Sequence, residues 1–284
     1  MILSVRPFAL DDLDGAAAFA ERTRVSDPWV EPFGHRLAMI ATGPRARLDL
    51  WRVAEDEAGV VAGVSFAAVR EGGTAPVLDL YAAVAPTSRR QGLGRALCEP
   101  AVASGSILRA RARPGTAGVS FLSRLGFAEA GAQLQLTWSG RAPPVELSAL
   151  RIRAGGPEDE ALLLRLSEAA WSGAPEAFAS RPDEIAQLVA EQGRLLLFAE
   201  VDRSTAAYLS GVFLGKTLGI EEVAVLPAFR RMGIGRALLA RALAAAQSAV
   251  LSVNEANRPA RALYRSLGFK EAARRVVMEL RDGR

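Results

Sequence analysis

The chain has 284 residues, half of them hydrophobic and 23% charged, which excludes a disordered or low-complexity protein and suits one large or two medium domains. The first residues, MILSVRPFALDD, lack the basic-then-apolar order of a secretory signal, and no uncharged apolar run reaches membrane-spanning length, so a cytoplasmic protein without membrane partners is expected. The net charge of +4 divides evenly, 16 basic against 14 acidic residues over 1–145 and 19 against 17 over 146–284, which gives no basic footprint for nucleic acid.

In chain order, VRPFALDDLDGAAAFA near the start reads as a short strand, an acidic turn able to cap a helix, and a helix. His35, the sole histidine, stands in VEPFGHRLAM without a Ser or Cys motif nearby, so no triad or metal site is indicated. Residues 48–69 alternate as two apolar strands joined by a turn. Tyr81 follows on a third strand, where a packed aromatic is the expected role and a proton donor the alternative. SRRQGLGRALC (88–98) is a glycine turn opening a helix, with Cys98 expected as a buried thiol and Pro100 expected to bend or shorten that helix. A lone cysteine forms no internal disulfide, which fits a reducing compartment. FLSRLGF (121–127) ends the next helix at a glycine.

The same series then repeats. IRAGGPEDEALLLRLSEAA at 152 matches the opening, RLLLFAEVDRSTAAYLSGVFLG (194–215) the hairpin, FRRMGIGRALL (229–239) the glycine turn, and LYRSLGF (263–269) the helix end. Gly92 and Gly233 stand 141 positions apart, Gly126 and Gly268 142. Features recurring in order at this distance mean duplicated domains, 1–142 and 143–284, joined in WSGRAPPVELS (138–148), where Gly and paired Pro break both periodicities. Strands alternating with helices make the class α/β.

The glycine turn carries the chemistry. In VAVLPAFRRMGIGRALLARALAAA a strand passes through glycines into a helix whose first amides are unpaired. With the helix dipole and Arg230, Arg231 and Arg236 nearby, this cradles a pyrophosphate; a turn that merely connects strand to helix is the alternative. It is too short for a Gly-x-x-x-x-Gly-Lys loop and lacks the third glycine of a dinucleotide fingerprint. Arg-x-x-Gly-x-Gly after a strand ending in Val-x-Pro, with Tyr-x-x-x-Gly-Phe about thirty residues later, resembles the GCN5-related N-acetyltransferase (GNAT) superfamily over both halves. The resemblance implies two tandem GNAT-like domains, each a mixed, splayed central sheet flanked by helices. It implies acetyl-CoA as cosubstrate, held by the backbone of Val223 and Val225, by Arg230, Arg231, Gly233, Ile234, Gly235 and Arg236, and by Asn257, which could equally cap a helix. Arg90, Gly92 and Gly94 are the corresponding positions of the first turn.

In the second copy the resemblance implies Tyr264 as general acid to the leaving sulfur, with a core tyrosine as the alternative. It also implies a carboxylate base on the strand IEEVAV, Glu222 before Glu221, since strand alternation sets Glu222 opposite Val223 and Val225 if no bulge intervenes. The first copy keeps the cradle, Arg89 and Arg95 included, but places Leu122 opposite Tyr264, Gly115 opposite Asn257 and Ala112 opposite Asn254. It is therefore expected to be a degenerate partner. The acceptor is expected to be a small-molecule amine or a peptide N-terminus, walled by 170–184 with Trp171, Glu176, Phe178 and Arg181. The tandem architecture is also similar to mycothiol synthase, which acetylates an amino-sugar thiol conjugate. A non-catalytic acyl-CoA sensor is the alternative from another class. A monomer or homodimer suits either.

Overall fold

The computed structural model describes residues 3–26, 37, 40–70, 77–142, 144, 150–171 and 182–281. They fall into two compact units, Met1–Ala130 with Val276–Arg284, and Gly131–Arg275. His35, Glu176, Phe178 and Arg181 lie outside the described residues.

In the first unit β1 (Ser4–Pro7), β2 (Arg52–Glu55), β3 (Val61–Arg70) and β4 (Val77–Val84) pair antiparallel in that order. β5 (Ile107–Ala112) lies parallel to β4, and the end of β12 (Lys270–Leu280) pairs antiparallel with β5 through Val276–Leu280. The helices are α1 (Leu13–Ser26), α2 (Leu93–Ala103) and α3 (Ala117–Arg124). Of the two effects expected of Pro100, shortening does not occur: α2 continues through it to Ala103. A proline removes the donor to the carbonyl four residues back, here that of Ala96. The carbonyl of Leu97, three residues earlier, accepts from the buried Ser65 hydroxyl at 2.6 Å.

The second unit repeats the plan. Its strands are β6 (Ala128–Ser139), β7 (Leu150–Ala154), β8 (Arg194–Val201), β9 (Ser204–Leu214), β10 (Thr217–Val225) and β11 (Ser248–Asn254), in the order β6-β11-β10-β9-β8-β7. Only β10–β11 is parallel; the other pairs are antiparallel, so this sheet, like that of the first unit, is mixed. Its helices are α4 (Glu160–Trp171), α5 (Pro182–Ala190), α6 (Ile234–Leu243) and α7 (Arg258–Ser266). Strand alternation sends Leu196 and Phe198 into a cluster with Leu163, Leu166 and Ile185 of α4 and α5. Leu197 and Ala199 enter the other cluster, with Leu238 and Leu239 of α6 and Tyr264 of α7. The repeated halves and the compact units divide differently, because β6 closes the sheet of the second unit and the end of β12 that of the first.

The duplication extends to side chains that motif reading does not single out. Arg6 Nη2 meets Asp12 Oδ1 at 2.7 Å and Arg153 Nη2 meets Asp159 Oδ1 at 2.7 Å, each arginine also pairing with a carboxylate of the hairpin, Glu55 or Glu200. The second carboxylate oxygen of each aspartate accepts the backbone amide of Ala9 or Gly156, which turns the chain into the helix. The guanidinium hydrogen bonds hold both aspartates below the usual carboxylate range.

Candidate active site

Both sheets open at the parallel pair. β10 and β11 share a ladder from Thr217–Ser248 to Ile220–Leu251, after which β10 runs on beside β9 to Val225 and β11 beside β6 to Asn254. β4 and β5 pair only from Val77–Ile107 to Asp79–Arg109, while β4 continues to Val84. One difference separates the forks. The β9–β10 register shifts between Ile220 and Glu222, a bulge at Glu221, whereas β3–β4 pairs without interruption from Gly63–Val84 to Arg70–Val77.

Beyond the bulge the alternation is regular. Val223 and Val225 pack against the cluster of α6 and α7, and Ala224 belongs to the cluster of α4 and α5. Glu222 faces that second cluster: the Trp171 indole Nε1 donates to its Oε1, and Tyr208 stands close by on β9. Cross-strand pairing sets Ser210 opposite Glu222 and Tyr208 opposite Ala224, so three polar groups share one otherwise apolar face. The Tyr208 hydroxyl and Ser210 Oγ are fully buried, and neither makes a well-formed hydrogen bond. Burial pushes the Glu222 carboxyl above the ordinary carboxylate range, against the pull of the nearby Tyr208 hydroxyl and the donating Trp171 indole, and the Glu221 charge adds to the rise. Glu221 itself is exposed on the bulge and accepts from Arg194 Nη1 at 2.6 Å.

Tyr264 is placed by the end of α7. Phe269 N donates to Tyr264 O at 3.1 Å and Gly268 N to Arg265 O at 3.0 Å, with Gly268 at φ +92°, a Schellman closure repeated at Gly126 and Phe127. The Tyr264 ring is buried edge-on to Phe269, with centroids 5.7 Å apart. Its hydroxyl makes no hydrogen bond among the described residues, and burial pushes the phenol up to about 12. Asn257 caps α7, its Oδ1 accepting from Ala260 N at 3.1 Å, which leaves the side-chain NH₂ to donate. Asn254 Oδ1 accepts from Ala256 N at 2.7 Å.

The cradles match closely. Arg90 and Arg231 have φ of 66° and 67°, and Gly92 and Gly233 both 80°. Each glycine stands at the N-cap of a helix without a side-chain cap, leaving the first amides, Ile234 and Gly235 in the second unit, outward and unpaired by side chains. The four arginines differ. Arg231 and Arg90 are exposed, and Arg231 makes no hydrogen bond or ion pair among the described residues. Arg236 Nη1 donates to Ser266 Oγ at 2.7 Å, tying the start of α6 to the end of α7. Arg230 is exposed as well, but its guanidinium is spent on backbone carbonyls, Nε donating to Val225 O at 3.1 Å and Nη2 to Ala170 O at 3.0 Å.

In the first unit Tyr81 occupies the register position of Glu222, stacked on Phe66 with centroids 5.9 Å apart at 12°. Leu122, at the position of Tyr264, is buried in the core. Cys98 is buried too, and its thiol is pushed up to about 12, which disqualifies it as a nucleophile. Motif reading passed over Tyr208 and Ser210; two polar residues at i, i+2 inside the apolar run TAAYLSGVFL were the available signal.

Residues 163–269 match the profile of the Acetyltransferase (GNAT) family. A mycothiol acetyltransferase from Thermobifida fusca (strain YX) is 30% identical, over 92% of this chain and 88% of that one. The chain belongs to the GNAT acetyltransferase family and is an acetyltransferase, which sets aside a non-catalytic sensor. In fold it is similar to a GCN5-related N-acetyltransferase from Sphaerobacter thermophilus, with TM-score 0.72 at 17% identity over 98% of this chain and 95% of that one. It is likewise similar to a tandem GNAT protein from the clavulanic acid biosynthesis pathway, with TM-score 0.70 at 19% identity over 98% of each chain. No helix among the described residues is long and apolar enough to cross a membrane.

Proposed function

We propose that the second unit transfers the acetyl group of acetyl-CoA to a primary amine by direct attack, in the second half (143–284) of a duplicated chain whose first half (1–142) no longer catalyses. One observation carries the reading: the sheet parts beyond Ile220–Leu251 between a half-buried carboxyl on one face and a buried phenol on the other. At such an opening, groups from both faces can reach one thioester carbonyl. The pyrophosphate rests on the amides after Gly233 and beside Arg231 and Arg236, and the backbone of Val223 and Val225 lines the pantetheine arm, with the Asn257 amide as a further donor.

Glu222 takes a proton from the ammonium, through water or directly. The amine nitrogen then bonds to the carbonyl carbon, the carbon–sulfur bond breaks as Tyr264 donates to the departing sulfur, and the second proton shed by the nitrogen passes to the tyrosinate, directly or through water, which restores the phenol. A phenol near 12 stays protonated throughout neutral pH, so it is always a donor. Thiols ionise at about 8.5 in water, but a thiolate formed against the same buried ring has its proton affinity raised by the same burial. Glu221, held by Arg194, is the weaker choice of base.

The acceptor is a small-molecule amine. Buried hydroxyls of Tyr208 and Ser210 beside Glu222 favour an acceptor carrying polar groups next to its nitrogen. The mycothiol acetyltransferase relative supports an amino-sugar thiol conjugate as the acceptor to assay first; a peptide N-terminus is the second.

Glu222→Gln and Tyr264→Phe test this. Each is expected to lower kcat by about 10²- to 10⁴-fold, with the KM for acetyl-CoA little changed. Glu222→Gln should also raise Tm at neutral pH. The folded carboxyl titrates above its unfolded value, so folding favours the protonated form; its contribution is favourable at low pH and becomes a penalty as pH rises through the folded pKa. Full turnover in both variants would remove the mechanism.

A further inference from the structure

The cradle arginine whose guanidinium is spent on backbone carbonyls suggests a role other than phosphate binding. Arg230 closes two carbonyls at once, Val225 O at the end of β10 and Ala170 O in the last turn of α4. The last carbonyls of a helix have no partner within it, and an arginine across the gap fixes where that turn ends. The next residue is Trp171, the end of α4, whose indole donates to Glu222. Resting on the reading of Glu222 as base, we propose that Arg230 is a positioning residue: it holds the end of α4 so that the Trp171 indole stays on the Glu222 carboxylate, and thereby sets the pH at which the base becomes active.

The surroundings of the carboxyl leave Trp171 a large share in its ionisation. From β9 it meets Tyr208, and from α4 Trp171 and, beyond Tyr208, the Ser167 hydroxyl. On its own strand the nearest charge is Glu221, which Arg194 of β8 holds. α5 carries Asp183 and Glu184 in its first turn and adds Ile185 to the cluster. No cation touches Glu222 among these groups, so the carboxylate depends on neutral donors. Losing one disfavours the ionised form.

The test reads Trp171 fluorescence against pH, in the full chain, with and without activity. Of the four tryptophans, the signal of Trp171 is the difference between wild type and Trp171→Phe. Glu222→Gln should abolish its titration, which identifies the pair whether or not Glu222 is the base. Arg230→Gln is expected to move that titration, and the acidic limb of kcat/KM, upward by about one pH unit, the worth of one hydrogen bond. Arg230→Lys, with a point charge in place of the planar fork, should move both by less, and it keeps the test alive if Arg230→Gln folds poorly. In the Trp171→Phe background, Arg230→Gln should leave the limb where Trp171→Phe alone puts it. An unmoved fluorescence titration with weakened acetyl-CoA binding would make Arg230 a phosphate ligand and overturn the proposal. A limb that still shifts in the Trp171→Phe background would do the same. Full turnover of Glu222→Gln would remove the base while leaving the fluorescence arm to judge the link.

Discussion

Gly235 is a residue that its own fold does not demand. A Cβ there would meet Leu263 Cδ2 and Val225 Cγ2 at 3.5 Å, ordinary contact distances, and its φ is not in the left-handed region. Alanine within a helix is favoured over glycine by up to about 1 kcal/mol. The proposed pyrophosphate on the first turn of α6 would give the glycine a reason that packing does not. Gly235→Ala is expected to keep or raise Tm while weakening acetyl-CoA about tenfold or more, for roughly 1.4 kcal/mol or more of lost contact; calorimetric titration with a thermal melt separates the two. Unchanged affinity would mean that the cofactor does not approach this turn. Gly94 does have a reason within the protein, since a Cβ there would meet the Phe121 ring at 3.3 Å. The ring stands where the second copy has Leu263, so the first cradle is crowded from the helix side.

At the scale of elements, the glycine turns are alike and the strands before them are not. Gly233→Glu would put a β-carbon at φ +80°, a strain of about 1–2 kcal/mol, and add a charge that repels phosphate. Titrating acetyl-CoA into wild type and this variant is expected to show a binding event lost with the second cradle. An unaltered isotherm would instead place the cofactor at the first turn, Arg90 to Gly94. The turns, the Schellman ends and the order of strands were legible because each is fixed by local rules: a glycine at positive φ, an alternation of period two, a helix cap. The bulge at Glu221 was not, since a single extra residue leaves no mark in the pattern of IEEVAV and appears only when β9 is laid beside β10. Glu222 could be ranked above Glu221, but its partners Tyr208 and Trp171 come from β9 and α4, and no spacing along the chain joins them. The engagement of Arg230 with backbone carbonyls was hidden for the same reason: an Arg-Arg pair reads as two phosphate ligands until Ala170 is seen beneath one of them.

At the scale of the molecule, a boundary read from the repeat differs from a boundary of folding. The second copy begins after residue 142, yet its compact unit is Gly131–Arg275 and includes β6, which pairs with β11 from Gln133–Asn254 to Ser139–Ser248. A fragment 143–284 would lose Leu134, Leu136 and Trp138, all buried in the cluster that also holds Tyr264. Each such side chain is worth about 1.5–3 kcal/mol, so their sum approaches the roughly 5–15 kcal/mol stability of a whole domain. The fragment would also expose the edge of β11 and carry the last residues of β12 without β5, and unpaired strands of this kind invite aggregation. Residues 143–284 expressed alone are thus expected to be insoluble or molten, and residues 131–275 to fold cooperatively and bind acetyl-CoA. Circular dichroism melts and size-exclusion chromatography of the two fragments decide it. A cooperative, soluble 143–284 would mean that β6 is dispensable to the active unit, and that the exchange of final strands between the halves serves only to hold the first copy in place.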